Sequence, residues 1–138
     1  MHTEPAVVFY VDDNPKSRRL LTNILLESGF QVITANDPVE ALDLCKNISF
    51  DVAVLDYQMP ALTGTQLAQE IKFLMPDVPV VLLSGRASLP AADLLFVDAH
   101  FGCETTLDDL LDKLKMLVGT KIHTVAIERS RISWSDST

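Results

Sequence analysis

Residues 52–64 read Val52-Ala53-Val54-Leu55-Asp56-Tyr57-Gln58-Met59-Pro60-Ala61-Leu62-Thr63-Gly64. The unbroken apolar run at the start predicts a strand over Val52–Leu55 covered on both faces, the pattern of a parallel sheet. Asp56 stands at its carboxyl end. From Gly64 to Met75 the spacing turns helical, with Leu67, Ala68, Ile71 and Leu74 on one side and Pro76 as the stop. Working outward, the same unit recurs. Ala6–Val11 is a continuous apolar strand ending in Asp12-Asp13. Asn14 then caps a helix, Pro15 opens it, Leu20, Leu21, Ile24 and Leu25 form its stripe, and Gly29 ends it in the left-handed conformation. Phe30–Ala35 is the next strand; Asp37 and Pro38 start a helix that turns Val39, Leu42 and either Ala41 or Cys45 inward. Val78–Leu83 is the most apolar strand, which predicts a central place in the sheet. Past Ser84 a short helix is expected over 88–95 with Pro90 in its first turn, then a strand over His100–Cys103 interrupted by Gly102. Thr106 caps the last helix, Asp109 completes its capping box, and Leu107, Leu110, Leu111, Leu114 and Leu117 repeat at helical spacing to Gly119. Strands alternating with helices give an α/β class with a doubly covered parallel sheet.

The whole chain is 138 residues, 48% hydrophobic and 22% charged, enough for one core and too little for two. A formal charge of −8 has the wrong sign for gripping phosphate backbones, so no direct nucleic-acid partner is expected. The opening Met1-His2-Thr3-Glu4-Pro5 lacks a basic region and no apolar run is long enough to cross a bilayer, which predicts a soluble cytoplasmic protein with no membrane partner. Cys45 and Cys103 show no ligand spacing and are expected to be small buried hydrophobes; His2, His100 and His123 are isolated and expected at the surface. Residues 119–138 turn polar and Ser/Thr-rich, with Lys121, Arg129 and Arg131 against Glu128 and Asp136. That segment reads as a tail or linker following a domain at 5–118: a strand or dimer arm through Val125-Ala126-Ile127 and Ile132 to Trp134, a disordered stretch, or a connection to a further domain.

The acids fall where a parallel α/β fold places its ligands, outside the carboxyl ends of the strands. Asp12 and Asp13 end the first strand, Asp56 the third, and Ser84 the fourth. Two carboxylates about 4 Å apart repel by roughly 4 kcal/mol at an effective dielectric of 20, so such a cluster requires a proton or a cation. All-oxygen donors with few residues suit Mg²⁺ or Mn²⁺, which completes its shell with water and phosphate. An Asp beside that metal is positioned to accept a phosphoryl group.

With Asp12-Asp13, the Asp56-Tyr57-Gln58-Met59-Pro60 run, Gly64 eight residues past the acid, and Ser84, the sequence resembles the receiver domain of two-component response regulators over about residues 5–118. The resemblance implies a flavodoxin-like, doubly wound five-stranded parallel sheet of order 2-1-3-4-5. It implies Mg²⁺ on Asp12, Asp13, Asp56 and the Gln58 carbonyl, with Asp56 as phosphoacceptor. Ser84 matches the hydroxyl that contacts the phosphoryl oxygen, and Phe101 the switch aromatic. Partners implied are a sensor histidine kinase or phosphotransfer protein, a downstream protein target, and a second copy as homodimer. The chain is then a signalling switch and not an enzyme. One departure bears on function: where the family has Lys-Pro after the fifth strand, this sequence reads Glu104-Thr105. The cation has become an anion, the peptide bond is expected trans, and weakened phosphoryl control follows. A phosphorylation-independent pseudo-receiver that binds proteins is the alternative, as is a switch drawing its cation from Arg86 or from the kinase. A haloacid-dehalogenase-like phosphatase would need an acid two residues after Asp56, where Gln58 stands, and no Walker A loop or GxGxxG supports nucleotide binding.

Overall fold

The computed structural model describes residues 5–119. Five strands, β1 (Val7–Val11), β2 (Gln31–Ala35), β3 (Val52–Asp56), β4 (Val80–Leu83) and β5 (Ala99–Phe101), form one sheet, all parallel, in the order β2-β1-β3-β4-β5. Helices α1 (Pro15–Glu27), α2 (Pro38–Cys45), α3 (Gly64–Leu74) and α4 (Leu107–Leu117) cover it. Strand periodicity divides the core in two. Phe9, Val11, Ala53, Leu55, Val80 and Leu82 face α2 and α3; Val8, Tyr10, Val52, Val54 and Val81 face α1 and α4. The doubly wound sheet of order 2-1-3-4-5 is thus the fold.

Local chemistry sets the element starts. Asn14 Oδ1 accepts from the N–H groups of Lys16 and Ser17, Asp37 Oδ1 from that of Glu40, and Thr63 and Thr106 form reciprocal capping boxes with Gln66 and Asp109. Gly29 closes α1 with φ of 101°, a conformation glycine adopts without a steric cost.

β4 is interior and paired on both sides, as its apolar run predicts, although the middle place belongs to β3. Several expectations are corrected. Leu20 and Val39 are exposed at 64% and 65%. The helices bury a narrower stripe than their apolar composition suggests: Leu21 with Leu25 on α1, and the small side chains Ala41 and Cys45 on α2, which let that helix lie close to the sheet. Leu74, at the end of α3 where the chain turns away, is also largely exposed. β5 stops at Phe101, so Cys103 sits in an exposed turn and is not a core residue. Cys45 is buried, which pushes its thiol up to about 11. His100 is not at the surface; it is half-buried in β5 with Nε2 enclosed and unpaired. The helix expected over 88–95 is only a 3-10 turn, Ala91–Leu94, since Pro90 gives no side-chain cap. No described peptide bond is cis, Glu104-Thr105 included. His2, His123 and the tail segments 125–127 and 132–134 lie outside the described residues.

Candidate functional site

The crevice opens at the carboxyl ends of β1 and β3, and its deepest group is Asp12, the one buried acid among the described residues. Its carboxylate accepts from the Tyr10 hydroxyl at 2.6 Å and from the Asn14 N–H at 2.9 Å, and its carbonyl accepts from Arg18 Nη1 at 2.8 Å. Tyr10 lies two residues before Asp12 on the same strand face. Burial, then the bond to Asp12 and the charges of Asp12 and Asp56, hold the phenol protonated well above its usual range. Asp13 is exposed at the rim, and Asp56 ends β3 half-buried. Carboxylate oxygens of Asp12, Asp13 and Asp56 all lie within 4.8 Å of one another.

This convergence perturbs Asp56. Burial, the charges of Asp12 and Asp13, and a hydrogen bond with Asp13 push its carboxyl up to about 7, against the opposing pull of the Gln58 backbone N–H. The donor set fits a hard divalent cation: three carboxylate oxygens, no nitrogen or sulfur, and an acid whose ionised form needs positive charge nearby. Gln58 is exposed just beyond Asp56, beside the cluster in sequence.

Gly64 explains the spacing of the Asp56 to Gly64 run. A Cβ there would lie 2.4 Å from the Asp56 carbonyl oxygen and 2.7 Å from Leu82 Cδ1, so the first turn of α3 can reach β3 only without a side chain. The intervening loop returns through Ala61 at φ 72°, and the Gly64 N–H bonds the Tyr57 carbonyl at 2.9 Å.

On the β4 and β5 side the predicted residues are arranged differently. Ser84 donates its N–H to the Phe101 carbonyl, and its Oγ accepts the Arg86 N–H at 2.8 Å. Phe101 is half-buried against the α1 and α4 side of the core. Glu104 stands in an exposed turn held by Thr105 and Gly102, and the carboxylates pressing on Asp56 are Asp12 and Asp13. The structure therefore brings Asp12, Asp13 and Asp56 together and leaves Glu104 at the margin. A group that sequence reasoning missed joins this side: the Tyr57 hydroxyl donates to Asp93 Oδ2 at 2.9 Å, a bond that raises the phenol above its usual range, with the Arg86 charge opposing. Asp93 is 36 residues from Tyr57, and no spacing signals such a pair. Tyr10, by contrast, was open to discovery from its place two residues before Asp12.

The family model described as the response regulator receiver domain matches residues 8–100. This chain belongs to that family. The receiver is 36% identical over 109 residues to the response regulator MprA of Mycobacterium sp. (strain KMS), covering 79% of this chain and 44% of that one. It is 34% identical over 92 residues to the transcriptional regulatory protein GlrR of Escherichia coli (strain K12), covering 67% of this chain and 21% of the relative. The chain thus spans less than half the length of these relatives. Among solved structures it resembles the response regulator TrrA of Thermotoga maritima in complex with Mg(2+)-BeF, with a TM-score of 0.76, 29% identity, and coverage of 81% of this chain and 98% of that one. Receivers are signalling modules of two-component systems, and among the described residues of this one no helix is long and apolar enough to cross a membrane.

Proposed function

We propose that this receiver accepts a phosphoryl group on Asp56 with Mg²⁺ or Mn²⁺ held by Asp12, Asp13, Asp56 and the Gln58 carbonyl, and that its control by phosphorylation is weakened. The observation that carries this reading is the convergence of three carboxylates at the ends of β1 and β3, with the Asp56 carboxyl pushed up to about 7. A bound divalent cation would neutralise the charge that accumulates as a phosphate approaches. Within the chain, Tyr10 and Asn14 fix Asp12, so one donor is set before any ligand arrives. Asp56 Oδ forms the new P–O bond as the donor's P–N bond breaks, the donor being a phosphohistidine of a sensor kinase or phosphotransfer protein. Ser84 would contact a phosphoryl oxygen, and Phe101 would report the change at β5.

Weakening follows from the other side of the crevice. Glu104 supplies negative charge in place of the family's Lys. The same feature favours a second reading, a phosphorylation-independent interaction module acting on a downstream protein or a second copy of itself. We take residues 5–118 as the receiver unit in the cytoplasm and 119–138 as its tail or linker. Incubation with phosphoramidate and Mg²⁺, followed by intact mass, separates the readings. Partial gain of one phosphoryl group, lost in Asp56→Asn, is expected; an unmodified mass under conditions that label another receiver to completion selects the interaction module.

A further inference from the structure

Tyr10 is the one residue of β1 whose side chain carries a polar atom; the others are Val and Phe. A phenylalanine would fill the same space, as Phe9 does on the opposite face of the sheet, so packing alone gives the hydroxyl no role. The ring is 1% exposed and lies in one core cluster with Leu21, Leu25, Val54 and Leu114, which fixes where the hydroxyl stands. It donates to Asp12 Oδ2 at 2.6 Å, while the Ser17 carbonyl, at 3.4 Å, is too far to compete. The Asn14 N–H donates to the other oxygen, Oδ1, at 2.9 Å, and Arg18 Nη1 holds the Asp12 carbonyl. The carboxylate thus carries a donor on each oxygen and cannot turn without breaking one of the two bonds.

We propose that Tyr10 is a positioning residue that sets the cation specificity of the acidic cluster, holding Asp12 to a single-oxygen contact and so shifting the preference toward Mg²⁺ and Mn²⁺ and away from Ca²⁺. Mg²⁺ demands a small, near-octahedral shell and keeps several waters, whereas Ca²⁺ takes about six to eight oxygens and commonly draws both oxygens of a carboxylate. The cluster offers one oxygen from each of three acids, which suits the smaller ion. A larger shell would have to recruit second carboxylate oxygens, and at Asp12 the second oxygen is held by a phenol that the core does not let move. Without the hydroxyl, the carboxylate keeps only the Asn14 bond and can swing about it to present both oxygens.

The inference rests on the metal reading of Asp12, Asp13 and Asp56, and the test separates the two. Mn²⁺ binding to the whole chain is followed by the paramagnetic resonance of the free ion, and Mg²⁺ and Ca²⁺ are each titrated in competition with it. The parent, Tyr10→Phe and Arg18→Ala are compared, each checked for native circular dichroism. Tyr10→Phe is expected to weaken Mg²⁺ and Mn²⁺ by about tenfold, as for loss of a bond that orients a metal ligand, and to leave Ca²⁺ within about twofold of the parent. Arg18→Ala, which keeps both bonds to the carboxylate, should leave the preference unchanged. A second measurement needs no variant: the carbon NMR shift of Tyr10 Cζ, which reads the hydroxyl bond, should hold on saturation with Mg²⁺ and move on saturation with Ca²⁺. Absence of saturable Mn²⁺ binding in the parent sinks the metal reading and this inference with it. Where the parent binds Mn²⁺, the role of Tyr10 alone is overturned by equal loss of all three ions in Tyr10→Phe, by no change in any of them, by the same fall in preference in Arg18→Ala, or by equal movement of Cζ on both ions.

Discussion

At the ends of β1 and β3 the functional groups are anchored in the core, whereas at the ends of β4 and β5 they are anchored on one another at the surface. Asp12 is buried and bonded to Tyr10, and Asp56 continues a strand paired on both sides. Ser84 with Arg86, and Tyr57 with Asp93, pair among exposed or half-buried loops, and Glu104 lies in a turn. The difference shows how the two ends of one crevice can differ in what constrains them. Asp12 and Asp56 at the first end are held by buried strands that any stable variant must retain. At the second end Glu104 can be replaced with no core residue disturbed.

The comparison is broken most directly at Asp56. Asp56→Asn should abolish phosphoryl labelling as read by intact mass; labelling that persists would place the acceptor elsewhere. The next effect concerns rigidity. Gly64→Ala drives a methyl into the central strand and the buried Leu82, and Gly102→Ala drives one into the backbone of Arg86 and Ala87, and each should cost about 3 kcal/mol in urea unfolding. A much smaller cost at Gly102 would show that the loop after β4 yields where the central strand does not.

A smaller effect concerns pH. Because the Asp56 carboxyl is raised to about 7, the folded protein without metal keeps a proton that the unfolded chain releases from about pH 4 upward. Its contribution to stability is present below that range and is lost as pH rises to about 7. Discounted for the solvent that reaches a half-buried group, the loss is about 1 kcal/mol. Thermal unfolding across this range should show the decline in the parent, and Asp56→Asn or saturating Mg²⁺ should flatten it. An unchanged slope in Asp56→Asn would assign it to other groups. The smallest effect is that of Glu104→Lys. From an exposed turn the reversed charge should improve beryllofluoride affinity by a factor of about 3; a gain of a hundredfold would show that position 104 reaches the acyl phosphate directly.

The first end was the more legible in sequence, for the same physical reason. Buried strands announce themselves by continuous apolar runs, and acids at their ends, as at Asp12 and Asp56, fall in one crevice once the strands are parallel neighbours. Gly64 was legible as a position, though its cause, the carbonyl of Asp56 against its Cα, is a tertiary fact. The bond from Tyr57 to Asp93 was not legible, because surface side chains from separate loops carry no periodicity. The exposed faces at Leu20 and Val39 were misread because apolar composition alone does not say how wide a stripe the sheet will cover.

The parallel sheet also fixes an order of assembly. No two neighbouring strands are joined by a hairpin: β1 pairs with β2 only after α1 is made, with β3 after α2, and β4 and β5 follow later still. Pairings that each await a crossover place such a chain among the slower folders of its size. On a ribosome, Asp12, Asp13 and Asp56 are all synthesised before Ser84, Arg86 and Glu104. The nascent chain therefore carries all three acids of the crevice before any of the β4 and β5 groups exist.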